Sequence, residues 1–140
     1  MKIRFIFISC LVFILAACGG GSSTSDETRA AENNFVGTQS ITLSNGEISV
    51  TETDNFTLMI EGQVVTVVDA DFNATGTLNS QNQFVISSPI FSTTSEGITC
   101  SGSITYNGQI TGSNTAGAIQ GEFNCSGVVF DVTGEFSANR

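Results

Sequence analysis

The sequence contains no histidine and no tryptophan, and only one proline and one tyrosine. Each scarcity excludes something. Without imidazole there is no histidine base, no His-held zinc and no His-ligated haem. A single Tyr and no Trp argue against an aromatic platform for sugars. One Pro excludes a proline-rich linker. Cations are also scarce: four Lys and Arg against 13 Asp and Glu give a formal charge of −9. Four cations cannot neutralise a run of phosphates, so no nucleic-acid partner is expected. At 140 residues the chain has room for one domain.

Against this background the first residues stand out. Lys2 and Arg4 precede an apolar run from Phe5 to Leu15 that only Ser9 interrupts. A bilayer-spanning helix needs about 20 apolar residues, so this run suits an export signal rather than a membrane span. It ends in Leu15-Ala16-Ala17-Cys18, which resembles the lipobox of bacterial lipoproteins. The resemblance implies removal of residues 1–17 as a lipoprotein signal peptide and lipidation of Cys18, which then anchors the chain to a membrane. Each buried methylene contributes about 0.8 kcal/mol, so more than one acyl chain makes a stable anchor. Gly19 follows, where an Asp retains enterobacterial lipoproteins in the inner membrane. The resemblance therefore implies the outer membrane of a Gram-negative cell envelope.

Removing residues 1–17 leaves 123 residues, two cations (Arg29 and Arg140) and a formal side-chain charge of −11. Residues 18–34 read as a flexible tether. Gly19-Gly20-Gly21-Ser22-Ser23-Thr24-Ser25 is small and polar, and Asp26 to Asn34 has no apolar periodicity. The expected β-domain covers residues 35–138.

From Phe35 the apolar residues alternate with period two. Phe56, Leu58 and Ile60 share one parity, Phe84 and Ile86 another, and Ile98, Cys100, Gly102, Ile104 and Tyr106 the longest run. Ile119, Gly121, Phe123 and Cys125 follow, then Val128, Phe130, Val132, Gly134 and Phe136. No mature segment carries a helical stripe. The pattern predicts an all-β fold: a single small antiparallel barrel or sandwich of about eight to ten strands with mostly meander connections. Asn45-Gly46, Glu61-Gly62 and above all Asn107-Gly108 read as turns. The Gly-x-Ile-x-Gly pattern at Gly108 to Gly112 and Gly117 to Gly121 is similar to that of small calycin-type barrels. A biotin-binding barrel of that kind needs Trp contacts, which are absent here.

Of four cysteines, Cys10 lies in the signal and Cys18 is the lipid site. Cys100 and Cys125 remain and are expected to form a disulfide in an exported chain. Two arrangements fit. A meander turning at Asn107-Gly108 separates the pair. Direct pairing of strands 98–106 and 119–127 sets Cys100 opposite Cys125, Gly102 opposite Phe123 and Ile104 opposite Gly121.

No catalytic residue, metal ligand or cofactor is assigned. Asp69-Ala70-Asp71-Phe72-Asn73 begins like a calcium loop, but Ala74 and Ser80 stand where Gly and Glu belong. Glu52, Asp54 and Glu61 flank one expected hairpin and read better as solvated carboxylates than as a hydrolytic pair. Ser and Thr have no His or mature-chain Lys to activate them. Asn55, Asn73 and Asn124 open glycosylation sequons that read as chance. In the irregular stretch from Ser87 to Gly97, Ile90 and Phe91 either plug the domain or meet a partner. The expected function is a lipid-anchored, non-enzymatic envelope domain acting through protein contacts or as structure. The alternatives are a carrier of a small apolar ligand and a periplasmic protease inhibitor.

Overall fold

The computed structural model describes residues 34–140 apart from Glu96, and Ser95 through its backbone alone. The expected signal peptide, Cys18 and all but the last residue of the expected tether lie outside the described residues. Nine strands occupy them: β1 (Asn34–Ser44), β2 (Ser49–Glu61), β3 (Val64–Val68), β4 (Asn73–Thr77), β5 (Gln83–Ser87), β6 (Phe91–Ser95), β7 (Ile98–Thr111), β8 (Asn114–Cys125) and β9 (Val128–Asn139).

All pairings are antiparallel, and the sheet runs β4-β3-β2-β1-β9-β8-β7-β5, with β6 also on β7. β5 and β6 are one stave broken by a bulge. Ser87 pairs with Thr105 and Phe91 with Gly102, so one extra residue is inserted between them. Pro89 falls in that insertion, where no ladder amide is required. Ser88 repairs the ladder: its N–H donates to the Ile104 carbonyl at 2.8 Å, and its Oγ accepts the Ile104 N–H at 3.0 Å. The result is a meander whose β4 returns against β5. A Cβ at Gly76 would lie 2.4 Å from the Val85 carbonyl oxygen, which measures how closely the two meet. The sheet is thus nearly closed into a barrel.

The period-two pattern becomes the inside of this barrel. Phe35, Leu58, Val65, Val67, Phe84, Ile86, Tyr106 and Ile119 are all buried, with their odd or even neighbours facing out. Interior glycines sit beside large partners on the next strand. Gly102 pairs with Phe123, Gly117 with Phe136, Gly37 with Phe56, and Gly108 with Phe84. Small against large is how a narrow barrel fills its interior without overlap.

Three two-residue turns lie wholly within the described residues. Gly62-Gln63 and Gly112-Ser113 open on a positive-φ glycine, and Ser126-Gly127 has φ of 54° and 92°. These conformations match the twist of adjoining strands. Asn45 builds the β1–β2 turn instead with its side chain, whose Oδ1 accepts from the Glu47 and Ile48 amides at 3.0 and 2.8 Å. Asn107-Gly108 does not turn. It lies within β7, where Gly108 leaves room for the Phe84 and Phe136 rings. The long β7–β8 hairpin carries the direct register, Cys100 opposite Cys125, Gly102 opposite Phe123 and Ile104 opposite Gly121, and turns at Gly112-Ser113. Cys100 and Cys125 form a disulfide with Cα atoms 4.0 Å apart.

Candidate functional site: the open half of the barrel

The two ends of the barrel are built differently. At the end where β1 begins, Arg140 seals the interior. Its guanidinium lies 5.3 Å from the centroid of the buried Phe35 ring and donates to the Gly112 carbonyl at 3.3 Å. At the other end the wall is incomplete. The β3–β4 hairpin is short and covers only Thr57–Glu61 of β2. Among the described residues, 49–56 of β2 pair with β1 alone, and β6 pairs with β7 alone. The width that two strands supply elsewhere is missing there.

Burial follows this asymmetry. In the closed half Phe35, Leu58 and Ile86 are fully buried, and Ile60 and Ile110 at its rim are half-buried. Ile41, Leu43, Val50, Phe91, Ile98 and Phe130 have the same inward parity at the open half, yet each is only half-buried. Glu52 and Asp54 also take inward parity on β2, opposite Ile41 and Gln39 of β1. Apolar floor and acidic lip therefore belong to one alternating face, exposed because its cover is short.

A polar strut divides the two halves. The buried Tyr106 hydroxyl donates to Gln39 Oε1 at 2.7 Å, and Gln39 Nε2 donates to Asp69 Oδ2 at 2.7 Å. Asp69 begins the β3–β4 turn and accepts the Asp71 amide through Oδ1 at 3.1 Å. The strut thus ties β7 to β1 and pins the turn against the wall. Burial, with the nearby Asp69 charge adding to it, pushes the Tyr106 hydroxyl well above its ordinary range; the hydrogen bond with Gln39 acts the other way. On β2, burial and then the charge of Asp54 raise the Glu52 carboxyl above its usual value. Asp71 is raised by burial first, then by Asp69 and Asp54. The lip crowds like charges at the edge of an apolar groove.

Aromatic rings fill the space around the strut. Phe56, Tyr106 and Phe136 meet at centroid distances of 5.5 to 6.4 Å. Phe72 stacks on Phe91 at 4.9 Å, and Phe91 meets Phe123 edge-on at 5.1 Å. Phe91 is thus the plug side chain of the 87–97 stretch, while Ile90 is 80% exposed on the bulge.

The remaining expected sites do not assemble into a second centre. Glu52, Asp54 and Glu61 do not flank a hairpin. All three lie on β2, with Glu61 at the closed end beside the Gly62-Gln63 turn. The Asp69–Asn73 segment is a turn whose first carboxylate is already engaged by Gln39 and the Asp71 amide. Among the described residues no three His, Cys, Asp or Glu side chains are placed to hold a metal ion. The strut was missed from sequence. Its signal was Gln39, a polar residue at inward parity between Gly37 and Ile41. No protein-family model matches the chain, and no curated protein matches it in sequence.

Proposed function

We propose that this chain is a lipid-anchored, non-enzymatic domain of the bacterial cell envelope that works by contact with another protein. The anchor half of the proposal rests on Leu15-Ala16-Ala17-Cys18 at the end of the apolar run, and Gly19 favours the outer membrane. The contact half rests on one observation: inward-facing apolar residues stay half-exposed along a stretch of wall whose strand edges lack partners among the described residues. A soluble domain rarely leaves such a surface unused. The ring-filled interior supports this reading over a small-ligand carrier, because an eight-stave barrel holds side chains or one small ligand.

The anchor is tested by globomycin and by Cys18→Ser. Expected are accumulation of the uncut precursor and loss of metabolically incorporated palmitate. Normal processing and unchanged membrane retention in both would remove the lipoprotein premise.

A further inference from the structure

Resting on the reading that this domain works by contact with another protein, a chemistry can be assigned to its partner. We propose that the open half binds an extended, cationic segment of a partner protein, added as an antiparallel strand to the free edge of β2 at residues 49–56. Strand addition satisfies main-chain groups that have no ladder partner among the described residues and covers the half-buried floor in one step. Antiparallel pairing matches every other pair in the sheet and is the slightly more stable form.

Register fixes what the added strand must carry. Its inward positions would lie beside Val50, Glu52 and Asp54, which share one face of β2. Running antiparallel, the partner meets Asp54 first, then Glu52, then Val50. The fitting pattern is therefore basic-x-basic-x-apolar, read from N- to C-terminus. The cations would reach Asp69 and Asp71 as well as the β2 pair, and they relieve the crowding that raises Glu52 and Asp71.

Charge also decides who the occupant is. Inward-pointing carboxylates protect a free edge against chance pairing. Here they repel a second copy of this acidic chain, while admitting a cationic strand. The chain has little of its own to offer the lip. After Lys2 and Arg4 are removed its cations are Arg29 and Arg140, and Arg140 is engaged with Phe35 and Gly112 at the closed end. The pattern needs two cations two residues apart, which Arg29 and Arg140 cannot supply, so the fitting segment belongs to another protein.

The test uses the full processed chain and a fluorescent peptide with an Arg-Thr-Arg-Thr-Val core. Controls are its Glu-Thr-Glu-Thr-Val counterpart, a scrambled Arg-Arg-Thr-Thr-Val, and a copy N-methylated at alternate amides. The scramble loses one of the two partly exposed ion pairs, which predicts about a two- to fivefold preference for the first peptide, weakening with salt. The double variant Glu52→Lys/Asp54→Lys should reverse the preference toward the Glu peptide. A preference that ignores this reversal, or survives N-methylation on both edges, overturns the proposal. In cells, a photocrosslinking residue at Thr53 should capture a partner, and that capture should fail in the charge-reversed variant. Crosslinks to residues 18–33 or to a second copy overturn the cationic partner. Crosslinks formed through outward-facing Val85 but not Thr53 overturn strand addition and leave protein contact standing. No crosslink at either position overturns both.

Discussion

Replacing Gly108 with alanine tests the small-against-large packing of the barrel most directly. A Cβ at that position would lie 2.4 Å from Phe84 Cζ and 2.6 Å from Phe136 Cζ. Carbon atoms pack at about 3.5–4.0 Å, so each ring tip must retreat by roughly 1 Å. Phe136 has other rings against it, and Phe84 lies next to Phe136. Phe136 meets Phe56 at 5.5 Å and Tyr106 at 5.6 Å, and the Phe84 and Phe136 rings lie 6.1 Å apart. Overpacking of this kind costs about 1–3 kcal/mol. Removing a strand glycine returns about 0.5–1 kcal/mol. Because two ring tips are displaced at once, the overpacking lies in the upper part of its range, and the net expectation is a loss of about 1–2 kcal/mol, or roughly 5–15 °C in Tm for a domain of this size. Urea and thermal unfolding followed by circular dichroism measure it. Phe84→Leu removes one obstructing ring tip, so the double variant should be less destabilised than the two single losses added, by about 0.5–1 kcal/mol. A Gly108→Ala protein as stable as the wild type, or strict additivity with Phe84→Leu, would refute the packing argument.

The strut, the disulfide and the lip each carry a further expectation. Gln39→Leu strands the buried Tyr106 hydroxyl and frees Asp69; a loss of about 1–3 kcal/mol is expected, with faster amide exchange at Asp69 as the β3–β4 turn loosens. Unchanged exchange there would show that the strut does not pin the turn. Replacing both Cys100 and Cys125 by Ser should lower stability by about 3.5 kcal/mol on chain-entropy grounds, and an unaltered urea midpoint would refute this. Glu52 has a native pKa raised above 4.5, so its protonated form is favoured by folding. Its contribution is present at acid pH and lost as pH rises through the raised value. Glu52→Gln should therefore match the wild type near pH 4 and exceed it near pH 7, by a margin that salt reduces in so far as the charge of Asp54 contributes to it. A glutamine variant less stable than wild type at neutral pH contradicts the sign.

The antiparallel all-β class was legible because alternation survives burial, while the choice between barrel and sandwich was left open. Residues read as one face, such as Ile98 to Tyr106 and Val128 to Phe136, do line one side of their strands. Turn chemistry was less reliable. Asn107-Gly108 has the composition of a hairpin turn, yet its glycine answers to two rings brought in from β5 and β9. Such a requirement is non-local and invisible in a window of ten residues. The disulfide register was one of two arrangements that the sequence left open, because the expected turn at Asn107-Gly108 stood against the parity of the two cysteines; the structure carries the direct one. The open half was not legible, because it depends on how far the β3–β4 hairpin reaches along β2. Strand length says little about coverage until the register is known. The strut was half visible in Gln39, but its partners lie 67 and 30 residues away.

The placement of β1 has a mechanical consequence. The strand begins at the sealed end and is held on both sides, by eleven paired positions with β2 and nine with β9. A load applied upstream of Asn34 and resisted at the open end pulls along the strand axis. It stretches both ladders in shear, so many hydrogen bonds must fail together rather than one after another. Under the proposed anchor, the same strand would join the membrane to whatever grips the far end, and the barrel would bear tension through its best-supported stave.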